Sequence, residues 1–255
     1  MFSNRLKKKL KAGRTAFGTF VVINSPDIIE IAGLSGFDFV IIDTEHGPLS
    51  VESTQHLIRA AELHDMTPIV RVSDAAPTTI LRTLDVGAHG IQVPQINDRE
   101  SAAAVINGAK YFPIGNRGIA MPRSARYGTI DPLTYFEKSN EETMVIVHCE
   151  NRQGLANLEA IAAVPEVDVI FLGPFDMSQS LGIPGQVYHP LMDEVVEKVI
   201  QVTTDAGKVP GIFVTDGQQA QRRAAQGFKY IAIGMDTTLL AKIYKTEISK
   251  LSESV

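Results

Sequence analysis

The stretch Asp38-Phe39-Val40-Ile41-Ile42-Asp43-Thr44-Glu45-His46-Gly47 sets four consecutive apolar residues between two aspartates, then runs into a polar turn. An apolar run that short, with no polar alternation, belongs to a strand covered on both faces, the mark of a buried parallel sheet. The same pattern recurs along the chain. It predicts strands over 16–22, 38–43, 68–72, 90–94, 143–150, 167–173, 209–214 and 230–234. Between and after them, amphipathic stretches predict helices over 26–34, 51–64, 78–86, 99–109, 157–164, 191–206, 218–226 and 237–252. Ser25, Ser50 and Asn97-Asp98 stand where N-caps are needed, and Gly36, Gly87, Gly207 and Gly227 where helices stop.

Eight βα alternations without a low-complexity linker favour a closed (β/α)8 TIM barrel, one α/β domain spanning 1–255, over an open doubly wound sheet. The length of 255 residues fits that architecture. Two stretches break the rhythm, 111–142 and 174–190, and long loops on a rigid scaffold are commonly functional. The lysine-rich N-terminus, with Leu6 and Leu10, reads as a short solvated helix.

Composition excludes several classes. A net charge of −5 offers no basic face for nucleic acid. The single cysteine, Cys149, precludes an internal disulfide framework. No apolar run approaches the roughly 20 residues that span a bilayer, and no signal-peptide core follows the basic N-terminus. The expectation is a cytoplasmic protein with neither a membrane nor a nucleic-acid partner.

In a barrel, chemistry gathers at the C-terminal ends of the strands. Those ends carry Asp43, Glu45 and His46, then Arg71, Gln92, His148 with Glu150, and Asp176. His148 and Glu150, two apart on one strand, share a face. Glu150 and Asp176, from neighbouring strands, offer two hard oxygen ligands suited to Mg²⁺ or Mn²⁺; a structural ion pair with Arg71 or Arg152 accounts for them equally well. Arg71 inside an apolar strand needs an anion. That anion is either Asp43 or Glu45, or a substrate carboxylate or developing enolate oxygen. His46 precedes a Gly47-Pro48 turn and is a candidate general base, since imidazole titrates near neutrality. Asp85, taken alone, is an ordinary surface acid near a helix end. No lysine falls at a strand end where imine chemistry would need one, with only Lys110 and Lys138 ambiguous.

With these residues in view, the chain resembles the HpcH/HpaI family of class II pyruvate aldolases nearly end to end. The likeness is carried by Gly36-Phe37-Asp38 through Asp43-Thr44-Glu45-His46-Gly47, by Val70-Arg71-Val72, Leu84-Asp85-Val86-Gly87-Ala88 and Gln92-Val93-Pro94. It continues through Tyr111-Phe112-Pro113, Arg117-Gly118, Glu150, and Gly173-Pro174-Phe175-Asp176-Met177-Ser178. The resemblance implies a divalent metal (Mg²⁺, Mn²⁺ or Co²⁺) on Glu150 and Asp176, and His46 as proton acceptor with Asp85 raising its basicity. It implies Arg71 as transition-state stabiliser, and the backbone at Phe175 as a carboxylate contact. The implied reaction is reversible cleavage of a 4-hydroxy-2-oxo acid to pyruvate and an aldehyde. The implied assembly is a homo-oligomer, a hexamer that exchanges its C-terminal helix, in which the 111–128 loop extends toward a neighbouring site. Two positions depart from the family: His148 replaces a glutamine and Phe175 an alanine. His148 is thereby a candidate contact to substrate or to metal, and Phe175 a candidate to narrow the substrate pocket. Two alternatives stand beside the aldolase. One is a related lyase acting on a hydroxyacyl-CoA or oxaloacetate; the other is a non-catalytic keto-acid-binding barrel.

Overall fold

Short apolar runs with both faces covered close on themselves in the computed structural model, which describes residues 3–252. The strands are β1 (Ala16–Val21), β2 (Phe39–Asp43), β3 (Thr67–Arg71), β4 (Gly90–Val93), β5 (Met144–Cys149), β6 (Val169–Leu172), β7 (Val209–Val214) and β8 (Tyr230–Met235). All pair in parallel with their sequence neighbours, and β8 returns to β1, giving a closed eight-stranded barrel. This is the (β/α)8 architecture the alternation predicts.

Alternation along each strand divides the core in two. Val40, Ile42, Val70, Ile91, Val145, Val147 and Ile170 face outward into the layer shared with the helices. Phe39, Ile41, Ile69, Met144, Ile146, Val169, Phe171 and Tyr230 face inward and fill the barrel. Phe39 stacks on Tyr230 with ring centroids 4.3 Å apart. Gly18 makes the room: a Cβ there would sit 2.3 Å from the Phe39 ring.

The N-terminal helix, Arg5–Lys11, corrects the expectation of a solvated segment. Leu6 and Leu10, four apart on one face, are buried in the inward cluster and plug the N-terminal end of the barrel. Its lysines anchor to acids beside the strand starts, Lys7 to Asp168 at 3.1 Å and Lys9 to Asp38 at 2.6 Å.

The irregular stretches contain more structure than expected. Within 111–142 lie a 3-10 turn (Arg123–Gly128) and a helix (Pro132–Glu142), held by a small core of Tyr111, Ala125 and Tyr135. Within 174–190 the chain turns directly into the helix Pro174–Ser180. The helix predicted over 157–164 is the short piece Leu158–Ala162, and a second, unpredicted piece, Arg152–Ala156, precedes it, capped by the Asn151 side chain. Among the described residues no helix is long and apolar enough to cross a membrane.

Candidate active site

Arg71 occupies the last position of β3 on the inward face, beside Asp43 at the end of β2. Its Nε donates to Asp43 Oδ1 at 2.9 Å and its Nη2 to Asp43 Oδ2 at 2.6 Å, a bidentate pair, while Nη1 lies 3.1 Å from Glu45 Oε2. Both internal anions weighed from the sequence are therefore present. The guanidinium also lies 4.9 Å from the centre of the Phe20 ring. Asp43 does further work: its Oδ1 accepts the backbone N–H groups of Glu45 and His46, which winds the chain into the polar turn. A Cβ at Gly47 would fall 2.3 Å from the Asp43 carbonyl oxygen, so the turn requires glycine.

This turn leaves His46 exposed at the barrel mouth, with Nε2 3.9 Å from Glu45 Oε2. Burial raises the Glu45 pKa, against the opposing pull of Arg71 and His46.

On the facing side, Glu150 is fixed by two donors. Its Oε1 accepts the Gln95 backbone N–H at 2.6 Å, and its Oε2 accepts His148 Nδ1–H at 2.6 Å. Gln95 adopts φ 56° to aim that N–H, strain of about 1 kcal/mol or more held at the site. Burial pushes the Glu150 pKa up, but His148, the Gln95 N–H and Arg71 outweigh it and hold the carboxyl below its usual value. His148 is itself held: its Nε2 accepts from Gln92 Nε2 at 2.8 Å, and Gln92 Oε1 accepts the Tyr230 hydroxyl at 3.0 Å. The chain Tyr230–Gln92–His148–Glu150 thus runs through the barrel core and puts the imidazole proton on Nδ1. Both ring nitrogens of His148 are engaged within the protein.

Asp176 sits in the first turn of helix Pro174–Ser180, exposed to the same space. A Cβ built at Gly173 would meet Glu150 Oε2 at 3.0 Å and Asp176 Oδ2 at 3.9 Å, so the two carboxylates border one gap that no side chain fills. Among the described residues no group of three or more His, Cys, Asp or Glu is placed to hold a metal ion. Two carboxylates around an open gap fit a hard divalent cation that takes its other ligands from water or substrate oxygens.

His46, Arg71, His148, Glu150, Phe175 and Asp176 line one cavity of about 300 Å³ at the mouth. Asp85 is set apart from them within the chain. It ends the helix Pro77–Asp85 in the outer layer, and Arg117 Nη2 takes its carboxylate at 2.7 Å. The carboxylate beside His46 is that of Glu45. Lys110, one of the ambiguous lysines, donates to the carbonyls of Asn140 and Thr143 at the entry to β5, the end of the barrel opposite the mouth. A larger cavity of about 460 Å³ is lined by Arg5, Glu62, Asp65 and Arg123, whose charges pair with one another.

Sequence reasoning missed Phe20, Phe171, Phe213 and Met235 in the cavity lining, and Tyr230 in the barrel core beneath it. Each lies in a run that reads simply as barrel core, and only the strand register reveals which of them reach the mouth.

The HpcH/HpaI aldolase/citrate lyase family matches residues 16–242. A 2-keto-3-deoxy-L-rhamnonate aldolase of Salmonella gallinarum is 33% identical over 251 residues, 98% of this chain and 93% of that protein. The crystal structure of an HpcH/HpaI aldolase from Desulfitobacterium hafniense DCB-2 superposes with a TM-score of 0.93 at 28% identity, covering 97% of this chain and 96% of that one. The citrate synthase SbnG superposes with a TM-score of 0.86 at 35% identity, covering 98% and 96%. Fold, mouth geometry and these likenesses agree: the chain belongs to the HpcH/HpaI aldolase/citrate lyase family of carbon–carbon lyases.

Proposed function

We propose that the protein is a divalent-cation-dependent aldolase that reversibly cleaves a 4-hydroxy-2-oxo acid into pyruvate and an aldehyde. The observation that supports this most is a single cavity bordered by a fixed guanidinium, Arg71, on one side and the carboxylates Glu150 and Asp176 on the other. Cleavage breaks the C3–C4 bond and sends its electron pair into the C2 oxygen, so positive charge must already be in place there. Glu150 and Asp176 would hold a divalent cation, which would supply such charge as a Lewis acid. Arg71, oriented by Asp43 and Glu45, supplies it from the protein without reorganisation. His46 takes the C4 hydroxyl proton as the bond breaks and returns it in the condensation direction. His148 holds Glu150 rather than acting as a ligand itself, because both of its nitrogens are used.

The protein works as a homo-oligomer, with the hexamer as the proposed state and the C-terminal helix exchanged between subunits. The support is the outer face of Asp236–Ser252, which leaves Ile243, Tyr244, Ile248 and Leu251 exposed. Within one chain Asp85 lies outside the cavity that His46 lines, so a part in tuning His46 falls to the Asp85 of a second copy. A second reading, a related lyase that decarboxylates oxaloacetate to pyruvate, rests on the same cavity, because loss of CO₂ would leave the same enolate oxygen beside Arg71.

The test is pyruvate release from a panel of 4-hydroxy-2-oxo acids by EDTA-stripped protein before and after Mg²⁺, Mn²⁺ or Co²⁺. Release only after restoration is expected. Full activity of the stripped protein contradicts the cation's role, and turnover of oxaloacetate alone favours the second reading.

A further inference from the structure

One wall of the mouth cavity differs in kind from the rest. Phe20 on β1, Phe213 on β7 and Phe175 at the start of helix Pro174–Ser180 form a row of edge-to-face rings. Centroids lie 5.7 Å apart from Phe20 to Phe213 and 6.0 Å apart from Phe213 to Phe175. Met235, at the end of β8, extends the same surface. Phe175 stays 45% exposed at the rim, a phenyl ring presented to whatever enters.

Of the charged groups in this cavity, Arg71, Glu150 and His148 are already committed; Asp176 is an anion, and His46 lies 3.9 Å from the Glu45 carboxylate. Arg71 is forked onto Asp43 and Glu45, Glu150 onto His148 and Gln95, and His148 onto Gln92. A second carboxylate or a phosphate on an incoming aldehyde would find no cation on the aromatic wall. The hydroxyls of a polyol tail would be buried against phenyl carbons and lose their water. A cavity of about 300 Å³ that must also hold the keto acid leaves room for one ring or a short branched chain.

We propose that the aldehyde partner is apolar and uncharged, an aromatic or branched aliphatic aldehyde, with its carbonyl toward His46 and its tail on Phe20, Phe213 and Phe175. This rests on the aldolase reading above. In the condensation direction C3 of pyruvate, having lost a proton, bonds to the aldehyde carbon, and the aldehyde oxygen gains a proton. No oxidant or reductant is needed.

The test gives Mn²⁺-loaded full-length protein pyruvate with benzaldehyde or 3-methylbutanal, and in parallel with succinic semialdehyde or glyceraldehyde. kcat/KM for the apolar pair should exceed that for the others by about 10-fold or more. Phe213→Ser should shrink that ratio by about 10-fold, whereas Phe213→Leu, which keeps the wall apolar, should largely retain it. Independently of turnover, saturation-transfer NMR on metal-free protein should detect benzyl alcohol but not glycerol, with a weaker signal in Phe213→Ser. Pyruvate C3 deuterium exchange without aldehyde separates the two levels. Exchange combined with better use of glyceraldehyde or succinic semialdehyde overturns the apolar assignment and leaves the aldolase standing. Loss of exchange overturns both.

Discussion

Arg71 shows why a charge inside an apolar strand is informative. Its guanidinium satisfies a buried Asp43 and a half-buried Glu45 and still borders the cavity, so a structural role and the proposed catalytic one fall on the same group. Removing it is a poor probe of catalysis. Arg71→Ala would leave Asp43 buried without its partner, at a cost of about 3–5 kcal/mol. Arg71→Lys keeps the charge and loses the fork, and kcat should fall by about 10²–10³-fold with a nearly unchanged melting temperature. An unaltered kcat in that variant would contradict the role assigned to the fork. The Tyr230–Gln92–His148–Glu150 chain gives a second prediction at this scale. Tyr230→Phe removes the hydroxyl that orients Gln92, and Mn²⁺ affinity should weaken by roughly 10-fold, read by EPR titration. Unchanged affinity would make the chain mere core packing. The charged members of the site were legible in the sequence because Arg71, His148, Glu150 and Asp176 interrupt apolar runs at strand ends. Tyr230 was not, because a tyrosine in a core strand carries no such interruption and its role depends on which face the register turns inward.

At the scale of elements, the eight strands and most helices were legible because period and capping agree at each of them. The N-terminal helix was legible as a helix but not as a buried one: lysines outnumber leucines there, and only the burial of Leu6 and Leu10 identifies it as the barrel's plug. The 111–142 stretch hid its helix for a related reason. Its apolar residues pack on one another, Tyr111 on Tyr135 and Phe136, rather than on the barrel. Lys110, where this stretch joins the helix Arg99–Ala109, has a pH signature. Burial, reinforced by Lys7 and opposed by Asp168 and Glu166, lowers its pKa from 10.5 to about 8. Between those values the unfolded chain holds the extra proton, so this group makes the folded state more stable as pH rises; below about 8 both states are charged and the full penalty applies. Wild type should therefore gain on Lys110→Met between pH 8 and 10, by up to about 1.4 kcal/mol per pH unit in urea unfolding. A constant difference across that range would contradict the depressed pKa.

At the scale of the molecule, a closed barrel leaves no sheet edge for association, so assembly falls to the outer helices. The C-terminal helix has an unburied apolar face, and Tyr244 and Ile248, four apart, lie on it. Ile248→Glu should lower the mass seen by sedimentation equilibrium while circular dichroism still reports the barrel. A wild-type protein that sediments as a monomer would remove the oligomer altogether. Closure also brings residues from β2, β3, β5 and the β6 end to one mouth although up to 133 positions separate them, from Asp43 to Asp176. That convergence underlies the central claim: a guanidinium and a carboxylate-held cation share one cavity and stabilise the anion formed from pyruvate. The most direct measurement is deuterium exchange at pyruvate C3 in D₂O, followed by NMR without any aldehyde. Exchange should be fast with Mn²⁺, lost after EDTA and sharply slowed in Arg71→Lys. Equal exchange in all three samples would contradict the claim.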